Sequence, residues 1–282
     1  MSLNKPATGT VEQRWSVPPR WYLWDGGFLL LAQSVGVVPP HAHHAIQIVI
    51  TVEGDVSIRG KRGDWQSARA VIVRPDVEHS FDGGGAVGAM LFVDPESLEG
   101  AWLQMSLRRD ITVVPLTRVA SCVTELKRFL DDPFASMEVG ALVKYCVHSL
   151  CTGVAPGRRL DSRITRVLEA IRRSDEMRMS VDDAAALAFL SPSRFAHLFK
   201  QQMGLPFRRY LLWRKLARAM LVIGRQETIS TAAHEADFAD AAHLTRTFYQ
   251  MFGIPPSLLM RGEFIEIASP FAAPDSAPMT RQ

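Results

Sequence analysis

The chain has 282 residues, 47% of them hydrophobic and 22% charged, with a formal net charge of +3. That length accommodates two domains with proper cores, and the composition excludes a disordered, fibrous or membrane-spanning chain. The charge is uneven: residues 158–262 hold 17 Lys and Arg against 10 Asp and Glu, so a polyanionic partner is expected for that third alone.

The opening MSLNKPATGTVEQRW lacks the apolar core of a secretion signal. The most apolar stretch, residues 28–38, is too short and interrupted to span a bilayer. A cytoplasmic protein without a membrane partner is expected. Cys122, Cys146 and Cys151 are odd in number and lack metal-type spacing, which suits buried thiols in a reducing compartment.

The first part reads as strands. FLLLAQSV, AIQIVITV, DVSIRG, RAVIVRP and VGAMLFVD are short aliphatic and β-branched runs punctuated by Gly, Pro and Asp clusters. This spacing predicts a sandwich or small barrel over residues 1–117. In AIQIVITV, Ile46, Ile48, Ile50 and Val52 point one way, and Gln47, Val49 and Thr51 the other. His41 and His43 share a side by the same parity, and His79 arrives from a later strand. The stretch GVVPPHAHHAIQIVITVEG resembles the first motif of the cupins, with one residue fewer before His41 and with Gln47 in place of Glu. The resemblance implies a β-barrel whose interior carries these four residues. His41, His43, Gln47 and His79 are therefore the candidate site for a small-molecule effector or a divalent metal. Tryptophans in or near the region, such as Trp21 and Trp65, suit stacking on a sugar or aromatic effector.

After residue 117 the apolar residues recur at three- and four-residue intervals. Residues 118–153 read as a helical pair that either closes the barrel or presents an apolar stripe to a second subunit. The second helix, 135–153, is the candidate dimer contact. GVAPGRR marks a linker at 154–160. Residues 161–262 form a helical block, and 263–282 read as a flexible tail.

Within that block, SPSRFAHLFKQQMG (191–204) sets Phe195, Leu198, Phe199 and Met203 in one arc, with Ser193, His197 and Lys200 opposite. DAAHLTRTFYQMFG (240–253) repeats the layout, and each copy follows a shorter Ala-rich helix. Two helix-turn-helix units, 181–203 and 229–252, are predicted. Between them, residues 207–223 form a spacer helix roughly 25 Å long, a stiff element expected to set the two recognition helices into successive major grooves roughly 34 Å apart.

At these residues the sequence resembles the AraC-type transcription regulators. Ile229, Ala233, Phe238, Phe248, Gly253 and Pro256 fill the pattern of the family's second unit. Ala185, Ser191, Phe199, Lys200, Gly204, Tyr210 and Leu211 meet that of the first. The turn position that is usually Gly is Phe189 in the first unit and Asp237 in the second, and Pro206 stands one residue early. Asp enters the left-handed region readily, whereas Phe is strained there, so a differently shaped first turn is expected.

The resemblance implies sequence-specific binding to double-stranded DNA under control of an effector in the N-terminal barrel. A homodimer and contact with RNA polymerase are further expectations. Ser193, Ala196, His197, Ala242, Thr245 and Arg246 are candidate base contacts. Arg194, Lys200, Arg208, Arg209 and His243 are candidate phosphate contacts, with Gln201 and Gln250 flanking the reading faces. The fold class is thus α+β and multidomain, a cupin-like barrel with a helical pair followed by an all-α domain. The rival is a metal-dependent cupin enzyme fused to a DNA-binding module.

Overall fold

The computed structural model describes residues 19–271, apart from Asp25, Val35, residues 133–136, 156–159, 175–177 and Ala268. Most of the expected linker and tail therefore lies outside the described residues, as does Trp15.

Strands β1 (Arg20–Trp24), β2 (Gly27–Gln33), β3 (Val37–His41), β4 (Ile46–Glu53), β5 (Val56–Gly60) and β6 (Gln66–Ala68) open the chain. β7 (Ala70–Val73), β8 (His79–Asp82) and β9 (Val87–Val93) follow, then helix α1 (Leu98–Ser106) and β10 (Ile111–Val113). Two helices complete the domain, α2 (Leu116–Asp131) and α3 (Val139–Leu150). The strands form two sheets. One has seven strands in the order β10-β7-β4-β9-β2-β1-β11, and the other has four, β3-β8-β5-β6. The seventh strand of the larger sheet is β11 (Glu263–Glu266), which lies parallel to β1.

The large sheet is buried on both faces, and the period-2 rule sorts its residues. Tyr22, Trp24, Leu29, Leu31, Ile46, Ile48, Ile50, Leu91 and Val93 pack with α2 and α3 through Val119, Leu126, Phe129, Leu142 and Val147. The apolar stripe of α3, a candidate dimer surface, is thus covered by its own sheet. Cys122 and Cys146 lie in this layer, fully buried, while Cys151 is half-buried at the end of α3.

The helical region comprises α4 (Ser162–Arg173), α5 (Val181–Leu187), α6 (Pro192–Met203), α7 (Phe207–Gly224), α8 (Ile229–Glu235) and α9 (Ala241–Phe252). A 3-10 turn, Pro256–Arg261, leads into β11. The first unit has its own core, in which Phe195, Phe199, Phe207 and Tyr210 pack with Ile164, Val167 and Ile171 of α4. The second unit does not. Leu244, Phe248, Met251, Phe252, Trp213 and Met220 share one core with Trp21, Leu23, Phe28, Leu30 and Phe92 on the second face of the large sheet.

Two expectations are corrected. The segment read as a tail opens with β11, because residues 263–266 find an unpaired strand edge: Glu263 N donates to Pro19 O and Ile267 N to Leu23 O, each at 2.8 Å. Phe264 stacks on Trp21 with ring centroids 5.7 Å apart. The first turn, in turn, is not shaped differently from the second, since Phe189 and Asp237 take φ of 54° and 57°. Asp237 is tied down by Arg178 at 2.6 Å and by Lys215, which donates to its carbonyl. Phe189 is 81% exposed, and the Arg166 guanidinium lies 5.0 Å above its ring.

A left-handed conformation costs a side-chain-bearing residue about 1–2 kcal/mol, and an exposed cation–π contact returns about 0.5–1 kcal/mol. Phe189→Gly is therefore expected to raise stability by up to about 1 kcal/mol, measured as a higher urea midpoint at unchanged slope. A lower midpoint would mean that the ring contributes more than its conformation costs.

Candidate functional site

Each of the two candidate reading helices, α6 and α9, begins and ends with recognisable chemistry. Ser191 caps α6 by accepting from the Arg194 amide, with Pro192 at the first helical position, and Gly204 ends it at φ 82°. Asp240 caps α9 by accepting from the His243 amide at 2.6 Å, and Gly253 ends it at φ 68°. Burial of Phe195, Phe199 and Met203 in α6, and of Leu244, Thr247 and Phe248 in α9, turns the opposite faces outward. Ser193, Arg194, Ala196, His197, Lys200 and Gln201 are exposed on α6; Ala242, Arg246 and Gln250 are exposed on α9, with His243 and Thr245 half-buried. His243 packs edge-on against Phe238, and the Thr245 hydroxyl donates to Ala241 O. Arg208 and Arg209 lie exposed at the start of α7, and Arg209 sits 3.9 Å from Asp76 of the sheet domain. Contact with phosphate would compete with that ion pair.

The sheet domain brings His41, His43, Gln47 and His79 together. Bulged pairing of β3 with β8 sets His41 opposite His79, their ring centroids 4.2 Å apart. The three imidazoles are buried, and their ligand-capable nitrogens lie within 4.8 Å of one another. Each Nδ1 meets a backbone carbonyl: His41 that of Pro39 (2.8 Å), His43 that of Ala45 (2.9 Å) and His79 that of Val77 (2.9 Å). A carbonyl only accepts, so each Nδ1 carries the proton. Burial lowers the pKa of all three, His43 to about 4 and His79 to about 3, with neighbouring imidazoles adding to the shift at those two. Near pH 7 the rings are neutral, and each Nε2 presents a lone pair.

The Gln47 side-chain amide lies at 3.1 Å from Nε2 of His43 and 2.9 Å from that of His79. Its oxygen is the atom nearest the two nitrogens, which would set acceptor against acceptor. A half-turn of the amide leaves its shape unchanged and offers one N–H to each ring. A divalent cation bound by the three Nε2 atoms and the amide oxygen would satisfy the same lone pairs. The donor set fits Mn, Fe, Ni or Zn in type, though it supplies no negative charge.

Beside this cluster lies a partly open cavity of about 100 Å³. Trp21, Phe28, Val49, Phe81, Met90 and Phe92 line it from the two sheets, with His41 and Gln47 among its few polar groups. The remaining wall belongs to the second unit: Met220, Phe248, Phe252, Ile254 and Leu258. Gly253 presses against β3 so closely that a Cβ there would stand 2.4 Å from Val38 and 3.1 Å from His41. Both its left-handed φ and this approach require glycine.

Near the cavity, α7 is fastened to the sheet domain by charge. Trp213 Nε1 donates to Asp94 at 2.9 Å, and Arg214 stands 4.0 Å from the same carboxylate. His44 bridges Asp76, at 3.1 Å, and Glu96. Sequence reading missed this cluster and the second unit's place in the cavity wall. The available signal was Phe28, Leu30 and Phe92, apolar on the strand face opposite Leu29, Leu31 and Leu91, which marks strands covered on both sides.

Residues 184–262 match a helix-turn-helix domain family. The chain is 24% identical over 230 residues to a probable transcriptional regulator, LumQ, of Photobacterium leiognathi, covering 77% of this chain and 90% of that protein. It is 33% identical over 110 residues to the arabinose operon regulatory protein of Salmonella typhimurium, covering 36% and 37% respectively. Among solved structures, ToxT from Vibrio cholerae aligns over 82% of this chain and 95% of its own, at 9% identity and a TM-score of 0.55. A ToxT structure with an unsaturated fatty acid bound aligns over 81% and 92%, at 10% identity and a TM-score of 0.51. No helix among the described residues is long and apolar enough to cross a membrane. With a sheet-rich domain, a helix-turn-helix domain over residues 184–262 and these relatives, the chain is similar to the AraC-type regulators and is a DNA-binding regulator of transcription.

Proposed function

We infer that this regulator is controlled by a small molecule held in the cavity between its sheets, and that the molecule acts through the second helix-turn-helix unit. The observation that carries this reading is the shared wall: Phe248 and Phe252 line the cavity from the back of α9, the helix whose outer face carries Arg246. An occupant that prefers one seating of α9 over another changes DNA affinity by that difference and by no other route. ToxT, which shares the fold, has been solved with a fatty acid and with a naphthalenyl butenoic acid bound, in keeping with effector control. The histidine cluster is assigned to this pocket as a metal-free polar wall and not to catalysis. The protein works in the cytoplasm as a homodimer that also meets RNA polymerase, with the exposed side of α2 and α3, including Leu116 and Tyr145, as the dimer surface. Its sensing and DNA-binding regions divide at 154–160.

The test selects binding sites from random duplex DNA with the full chain and measures affinities on the selected site. Arg246→Ala is expected to cost about 1–3 kcal/mol there and to relax the preference at one base pair. Lys200→Ala is expected to weaken binding evenly across sequences and to reduce the salt slope by about one. Undiminished selectivity in the Arg246 variant would remove α9 from base reading.

A further inference from the structure

We propose that Asp76 is a built-in competitor for DNA: its carboxylate holds Arg209, at the start of α7, in the place of a backbone phosphate. The inference rests on Arg209 as a phosphate contact and is independent of which molecule fills the cavity.

The position of Arg209 follows from α7. Phe207 opens that helix and packs edge-on against Phe195 and Phe199, with ring centroids 5.2 and 5.1 Å apart. The first turn of α7 is thereby fixed to the buried side of the candidate reading helix α6. Arg208 and Arg209 stand exposed in that turn. The turn carries no acidic residue, and its cap, Pro206, offers no side-chain bond. Two cations therefore sit at the positive end of a helix dipole, an arrangement that a nearby anion relieves.

The sheet domain supplies that anion. Asp76 stands 3.9 Å from Arg209 and is held in place by its other contacts. Its amide donates to His43 O at 2.8 Å, and its backbone is left-handed, at φ 59°. One carboxylate oxygen accepts from His44 Nδ1 at 3.1 Å, and the other faces Arg209. The two side chains are 30% and 55% exposed, so water weakens the pair and DNA can displace it. A guanidinium has donors enough for two anions, but a phosphate drawn to Arg209 would lie beside the Asp76 charge. DNA must either break the pair or bear that repulsion, and both lower its affinity. The sheet domain thus has a hold on the first unit through charge, as it has on the second through a shared core.

The experiment is a double-mutant cycle on DNA affinity at low salt, where surface charges are least screened. It uses the full chain with Asp76→Asn, Arg209→Gln and both together, on the selected site and on an unrelated duplex. Asn enters the left-handed region as Asp does and keeps an acceptor for His44; thermal melting checks the fold of each variant. Asp76→Asn is expected to tighten binding roughly two- to fivefold on both duplexes. That gain is expected to vanish beside Arg209→Gln. In the Asp76→Asn background, Arg209→Gln is expected to lower the salt slope by about one. No gain, or an equal gain with and without Arg209, would overturn the proposal, the latter because it reports only the loss of a distant negative charge. An unchanged salt slope would overturn it at its premise, leaving the effector cavity unaffected. Asp76→Gly, which also suits the left-handed backbone, replaces Asp76→Asn if the latter does not fold. Should neither fold, hydrogen exchange of the wild-type chain decides. Residues 74–78 are then expected to exchange faster in the DNA complex, and unchanged or slower exchange would overturn the proposal.

Discussion

Replacing His44 with Ala is expected to destabilise the protein by about 3–5 kcal/mol, the usual consequence of removing one partner from a buried ion pair. The ring is 3% exposed, and both its nitrogens face carboxylates, Asp76 and Glu96. Carboxylates only accept, so both nitrogens must donate and the ring is an imidazolium. Burial opposes that charge, but the hydrogen bonds and charges of Asp76 and Glu96 outweigh it and raise the pKa to about 10. Asp94, Arg214 and Arg209 complete the charged surroundings. Since the folded pKa lies above the unfolded value near 6.5, the stabilisation is complete below about pH 6.5. It is lost as pH rises through 10. Asp94 works in the same direction at lower pH, because burial and then the charge of Glu96 push its carboxyl up to about 6. Urea melts at pH 6, 8 and 10 should show the gap between wild type and variant narrowing as pH rises. A gap that stays constant would mean that the ring is neutral in the folded protein.

Gln47→Glu is expected to turn the histidine cluster into a metal site. The three Nε2 lone pairs already converge, their Nδ1 protons are fixed by Pro39, Ala45 and Val77, and what the cluster lacks is an anionic ligand. In the wild type the Gln47 amide supplies donors to His43 and His79. A carboxylate cannot, so the metal-free variant should lose about 1–3 kcal/mol. Mn, Fe or Zn should restore stability by about 2.7 kcal/mol at a hundredfold excess over the dissociation constant. Metal analysis of tag-free protein should find near-stoichiometric metal in the loaded variant and none retained by the wild type. Stoichiometric metal in the wild type would instead make the natural site a metallocentre and displace the amide-donor account.

The two helix-turn-helix units were legible because their pattern is local. Within each unit the helical spacing of α6 or α9 and the glycine at 204 or 253 lie inside one 14-residue stretch. The major strands were legible for the same reason. Strand β1 was not, since RWYLW carries no alternation and its two faces are buried by different partners. The two prolines of β3 hid it as well. His41, His43, Gln47 and His79 could be grouped by parity and motif, but parity does not reveal a hydrogen-bond sense. That needed the backbone carbonyls two residues away from each ring. The apposition of α9 to the sheet was beyond local reading altogether. It joins residues such as Phe28 and Phe252, and an outward apolar face shows that a partner exists without naming it.

The parallel pairing of β11 with β1 has a consequence for synthesis on the ribosome. The edge of RWYLW emerges early, and the strand that covers it follows about 240 residues later. At roughly 5–20 residues per second, the nascent chain carries an aromatic, unpaired strand edge for roughly 12–50 s. Such an edge is a template for pairing with another chain. Premature stop codons just before residue 263 would leave it open permanently, so truncation products are expected among the insoluble fraction even though both helix-turn-helix units are intact in them.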